Sequence, residues 1–295
     1  MPQSLLNRLR RRAGDELLRR VAGPTAHQKR ARIHDTPGPR WFTPDRPVRT
    51  VHADASMYVG GLAALLLQSL HPAAMAAVWA HSGFQGDPWG RLQRTSTFLA
   101  VTTFGTAQDA EQAVQRVRNA HALVSGTTSD GVAYRASDPS LLAWVHTAET
   151  YCFLQAYQRY GRCPLSSDQQ DSYVEDMASV ARRLGAAHPP LTTAALAGSL
   201  DDWRGELRTT KESSATARYL MTAPPLPRMA RLPYALLAAA AVDLLPSWAR
   251  ECLVLPTRTR LLLRVARTGG TVVTAAIRWV TPALPEQADS RAGNP

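Results

Sequence analysis

The chain has 295 residues, 45% of them hydrophobic and 19% charged, with a formal net charge of +11. The apolar fraction excludes wholesale disorder, the length suffices for a sizeable core, and three cysteines without a CxxC pair argue against a disulfide-stapled fold. The charge is uneven: residues 1–50 carry +8, residues 226–295 carry +5 and the long middle carries −2, a poor footprint for nucleic acid.

Residues 1–22 set Leu6, Leu9, Leu17 and Val21 on one helical stripe among arginines, and lack the continuous apolar run of a secretion signal. The stripe reads either as a helix docked on its own domain or as one lying on an anionic membrane surface. The proline-rich stretch 23–50 reads as an extended arm. From Ala55 to Gly86 there is no Asp, Glu, Lys or Arg, but Gly60-Gly61, Gln68, His71-Pro72 and His81 interrupt the run. A buried core helix followed by a loop is expected there, rather than a membrane span.

Helix punctuation is strong after that. Asp87-Pro88 and Asp138-Pro139 each set a capping carboxylate before a proline, and Thr106 opens another helix. Ser166 with Gln169 fits a capping box, and Gly185 is a natural stop after Leu184. Apolar spacing predicts helices over 107–125, 139–160 and 166–184. Pro224, Pro225 and Pro227 lead into an Ala/Leu helix over 234–245, closed by Pro246. A short strand is expected at 271–275 and a polar, frayed end from Pro285. The fold class is all-α, organised as a basic arm (1–50), a main domain (51–256) and a C-terminal helix with its tail (257–295).

Three places carry chemistry. His121 shares a helical face with Ala110, Ala113, Val114, Val117 and Val124, so it is either buried with a hydrogen-bond partner or binds something. His146 and Glu149 form a polar notch between Leu142, Val145 and Phe153, open to a structural reading as a register-fixing pair. In DPWGRLQRT, Arg91 and Thr95 share a face with Arg94 one turn from Arg91, a set that either anchors carboxylates or is simply solvated. No HExxH, GxSxG, Walker loop or GxGxxG occurs, and Gly60-Gly61 alone is no phosphate cradle.

The runs VHADASMYVGGLAALLLQSLHPAAMAAVWAHSGFQGDPWGRLQRT, RVRNAHALVSG and YRASDPSLLAWVHTAETYCFLQAYQRYG resemble bacterial members of the MpaB/rubber-oxygenase catalytic-domain family, from about His52 to about Arg250. The resemblance implies a single helical domain with a cofactor pocket buried between helices. In its latex-clearing branch it implies a non-covalent haem b and cleavage of C=C bonds by O2 in a lipophilic, isoprenoid-like substrate. CxxCH is absent here, in keeping with a haem held without thioether links.

By the same resemblance, Arg91 and Thr95 stand beside the haem and His121 is the axial metal ligand. His146 is a second pocket residue, or the ligand itself, and His71 is a weaker candidate. Arg94 completes the expected catalytic set with Arg91 and Thr95, but holds the place of a lysine that can approach the iron, which a guanidinium cannot replace as a ligand. A glutamate upstream has no counterpart in 55–86, and Glu149 is the available substitute. These departures leave a non-catalytic haem or lipid carrier as the alternative. The expected location is cytoplasmic, with peripheral membrane contact through the N-terminal helix.

Overall fold

The computed structural model describes residues 2–83, 86–222, 226–255 and 260–281. In chain order its elements are α1 (Pro2–Ala22), α2 (Ala26–Asp35), α3 (Pro47–His52), α4 (Ser56–Gln68), α5 (Pro72–His81), α6 (Pro88–Phe104) and α7 (Ala107–Ala122). A two-stranded antiparallel hairpin follows, β1 (Ser125–Thr127) and β2 (Ala133–Arg135), with Gly126 opposite Tyr134. The remainder is α8 (Pro139–Tyr160), α9 (Ser167–Leu184), α10 (Thr193–Asp202), α11 (Lys211–Thr222), α12 (Arg228–Leu244), α13 (Ser247–Cys252) and α14 (Arg260–Val280). The all-α class holds.

Helix α8 is the axle. Asp138 caps it by accepting from the Ser140 and Leu141 amides, and Pro139 occupies its first turn, where no amide is needed. It buries residues on nearly every side, including Trp144, Ala148, Cys152, Phe153 and Tyr157. Its most extensive neighbour is α4. The two helices touch closely because residue 60 is glycine: a Cβ there would lie 3.1 Å from the Phe153 backbone and 3.0 Å from the Ala156 methyl. Gly60 is thus a helix-packing device, while a Cβ at Gly61 would make only ordinary contact.

Several local readings hold to the residue. The Ser166/Gln169 capping box opens α9, and Gly185 closes it at φ +100°. Others are corrected. The uncharged run 55–86 is two helices, α4 and α5, bent by 109° across the break at His71-Pro72, where His71 caps α5 rather than a loop beginning. No single helix among the described residues is long and apolar enough to cross a membrane. The arm 23–50 contains α2 and α3, because its prolines cluster between and at the start of helices, Pro47 standing in the first turn of α3. The Ala/Leu helix starts six residues earlier than expected, at Arg228, and tolerates Pro233 inside it.

The strand expected at 271–275 lies within α14. Four consecutive β-branched residues, Thr271 to Thr274, favour a strand, but packing of α14 against α12 overrides that propensity. Gly270 permits that packing, since a Cβ would come within 2.6 Å of the Tyr160 ring and 2.8 Å of Ala240. Arg278 fastens the end of α14 to the start of α4 through two bonds to Asp54, at 2.8 and 2.7 Å. Asp54 is buried and Arg278 is 17% exposed, so removing the arginine would leave a costly buried carboxylate. The tail from Pro285 lies outside the described residues.

Candidate functional site

The basis of the site is the relation between α6 and α8. Asp87 caps α6 by accepting from the Gly90 amide at 2.8 Å, which sets Arg91 in the helix's first turn facing inward. The main packing partners of α6 are α7, α1, α3 and α2, while α8 is enclosed by α4, α9 and α10. Across the space between them, Arg91 and Glu149 feel each other's charge. The Gln68 amide of α4 hydrogen-bonds the Glu149 carboxyl and also donates to the Val145 carbonyl at 3.4 Å.

Desolvation dominates both ions. Burial lowers the Arg91 guanidinium to about 10, against the opposing pull of Glu149. Burial raises the Glu149 carboxyl above its ordinary range, against the Gln68 hydrogen bond and Arg91. Yet each side chain retains some accessible surface. Arg91 also donates to the Ser82 hydroxyl at 3.3 Å.

His146 lies one turn before Glu149 and is buried. Its Nδ1 is 3.4 Å from the Thr150 hydroxyl, while Nε2 is buried with no hydrogen-bond partner. Burial first, and the charge of Arg182 second, lower its pKa to about 4, so the ring is neutral at pH 7. A third histidine, His52, has Nδ1 2.8 Å from the Thr103 hydroxyl and Nε2 3.4 Å from the Tyr173 hydroxyl; burial lowers it to about 3. Tyr173 is fully buried and within electrostatic reach of Glu149.

His121 occupies the last turn of α7. The apolar face predicted to be buried along its length is buried only through Ala110, Ala113 and Val114, because the first half of the helix is the part that rests on its neighbours. Beyond Val114, Val117, His121 and Val124 are half-buried, and Leu123 is 85% exposed. The His121 ring makes no hydrogen bond among the described residues, and desolvation lowers its pKa, favouring the neutral ring. It therefore stands on a partly open apolar face.

Thr95 is exposed. Arg94 is exposed too, donating to the Ser82 carbonyl at 3.1 Å and lying 3.8 Å from Asp87. His71 is structural: it caps α5 and packs against the rings of Trp144 and Trp203, which also touch each other. The structure thus brings Arg91, Glu149 and Gln68 together, places His146 beside them on α8, and turns Arg94 to the surface. Sequence reasoning missed Gln68, His52 and Tyr173. Gln68 had a signal, as a lone amide in an uncharged helix. Two surface hollows, of about 370 and 470 Å³, involve none of the candidate residues. No cluster of three or more His, Cys, Asp or Glu suited to a bare metal ion occurs among the described residues.

A family model described as "ER-bound oxygenase mpaB/B'/Rubber oxygenase, catalytic domain" matches residues 49–276. Two uncharacterised mycobacterial proteins, from Mycobacterium bovis and Mycobacterium tuberculosis, are each 36% identical over 99 residues, or 33% of this chain. The match spans 36% of the length of those relatives. No solved structure matches. The matched interval takes in α4 to α13 and most of α14, and so every candidate residue above.

Proposed function

Because the chain belongs to the mpaB/rubber-oxygenase catalytic-domain family, we propose that it is a haem-b-dependent oxygenase that cleaves a C=C bond in a lipophilic, isoprenoid-like substrate. The observation that carries this reading is the pairing of Arg91 on α6 with Glu149 on α8, opposite charges that are both desolvated and within each other's field. The donor set fits a haem. His121 and His146 are both biased to the neutral imidazole that ligates iron, and the buried Nε2 of His146 lacks a partner. Arg91 supplies a cation for a propionate.

In this reading His121, half-buried at the open end of the α7 face, would hold the iron, and His146 would be a second residue of the pocket. Haem, when bound, supplies the activation of O2. The chain supplies the rest. Arg91 orients an anionic group, and Val117 and Val124 present apolar surface that excludes water. Glu149 holds a proton on its carboxyl to higher pH than an exposed glutamate, and is positioned to exchange one with a substrate. It stands in for the acid absent from 55–86.

Arg94, turned to Asp87 and the surface, takes no part in holding the iron. That outward turn is the one observation favouring the alternative, a haem or lipid carrier without turnover. Oxygen uptake by haem-loaded protein with an isoprenoid alkene such as squalene separates the two. Stoichiometric O2 consumption with carbonyl products, lost in Glu149→Gln but with haem retained, supports the oxygenase. Haem-loaded protein that consumes no O2 across a panel of linear and cyclic isoprenoids supports the carrier.

A further inference from the structure

Helices α1 and α14, one from each basic end of the sequence, meet in space. Helix α14 buries one face, Ala266, Gly270, Val273 and Thr274, against its neighbours. Beside that face, Val265, Val272, Ala276 and Trp279 form a second apolar stripe at seven-, four- and three-residue spacing. Every member of it is exposed, and its Trp279 end meets α1. Its polar side carries arginines and threonines, and α14 itself contains no acidic residue, although Arg267 pairs with Asp243 of α12 at 2.9 Å.

Helix α1 meets the end of this stripe. The two helices approach so closely at Gly14 that a Cβ there would strike the Val280 carbonyl, and the Arg10 guanidinium lies over the Trp279 ring, 5.9 Å from its centroid. That contact brings the first turns of α1, with Leu5, Leu6 and Leu9 all more than half exposed, to the Trp279 end of the stripe. The first fourteen residues hold four arginines and no acid. Arg11, Arg12, Arg228, Arg231 and Arg264 are all exposed.

We infer that this α1/α14 face docks the protein on an anionic lipid surface, with Val265, Val272, Trp279 and the α1 leucines entering the headgroup region and the arginines meeting lipid phosphates. Exposed valine, leucine and tryptophan beside exposed arginines such as Arg11, Arg12 and Arg264 is the composition of an interfacial helix. A second copy of the chain fits worse, since a two-fold contact would set arginine against arginine. The inference goes beyond the oxygenase reading and does not rest on it. It adds α14 to the N-terminal helix as the principal contact.

The test is sedimentation of the full chain with phosphatidylcholine vesicles, with and without one third phosphatidylglycerol, at low and high salt. Binding is expected only to the anionic vesicles, and to weaken with salt. The double variant Val265→Glu/Val272→Glu changes only exposed positions, and is expected to keep its melting temperature while binding about tenfold more weakly or worse. Arg11→Glu/Arg12→Glu is expected to weaken anionic binding in the same direction. No binding to anionic vesicles, equal binding to neutral ones, or unchanged binding by the valine variant overturns the inference. So does a wild-type dimer, seen by ultracentrifugation, that the valine variant dissolves without any vesicle binding.

Discussion

Arg91 on α6 and Glu149 on α8 are opposite charges, each desolvated and each within the other's field. Each is pushed toward neutrality by burial and pulled back by its counterpart. Maintaining two such groups costs stability that an apolar pair would not, so the arrangement points to a ligand that engages them.

Replacing Glu149 with Gln tests the cost. Its folded pKa is raised, so the wild type is relieved of the penalty below the ordinary glutamate pKa and loses stability as pH rises through the raised value. Glu149→Gln removes that slope. Urea unfolding at several pH values should show the variant gaining on the wild type from about pH 4.5 upward. A constant difference across pH would contradict it.

The buried histidines act with the opposite sign. His146 is lowered from 6.5 to about 4, so the stability of its neutral form is present above pH 6.5 and is lost as pH falls toward 4. The expected slope is about 1.4 kcal/mol per pH unit in that window. His52, lowered to about 3, continues the trend to lower pH. His146→Gln should flatten the acid limb between pH 6.5 and 4, read by urea midpoints, and parallel limbs would count against the burial described.

Packing at Gly270 offers no room. Gly270→Ala sets a methyl against the Tyr160 ring and Ala240, both fully enclosed, and is expected to cost about 1–3 kcal/mol. Differential scanning calorimetry should register a lower melting temperature, and an unchanged one would mean that α14 is held away from α12.

The Asp54–Arg278 pair offers a sharper case. Asp54 also accepts from the Ser56 amide at 2.8 Å, so it both starts α4 and anchors Arg278. Asp54→Ala is expected to cost about 3–5 kcal/mol in urea unfolding. A loss under 1 kcal/mol would show that the pair is not a fastening.

Much of this fold was legible where local chemistry decides. Asp138-Pro139, Ser166 with Gln169, and Gly185 mark ends that α8 and α9 obey, because caps and left-handed stops act within a few residues. The bend at His71-Pro72 and the helicity of 271–275 were misread, because His71 is stabilised by Trp144 and Trp203, far along the chain, and Val273 by α12. The site divides in the same way. Arg91, His146 and Glu149 are visible as polar residues on apolar helices. Gln68, His52 and Tyr173 join them only through the packing of α3, α4 and α9 around α8. The open second half of the α7 face was invisible too, since periodicity shows that a face is apolar and not what covers it.

The central claim is that the α6–α7–α8 region holds a haem through His121. The most direct measurement is the visible absorption spectrum of protein expressed with ample haem precursor, compared with His121→Ala and His146→Ala. A Soret band at near one haem per chain, retained in His146→Ala and lost or shifted in His121→Ala, is the expected result. No Soret band in the wild-type protein, or a band that His121→Ala leaves untouched, would contradict the account.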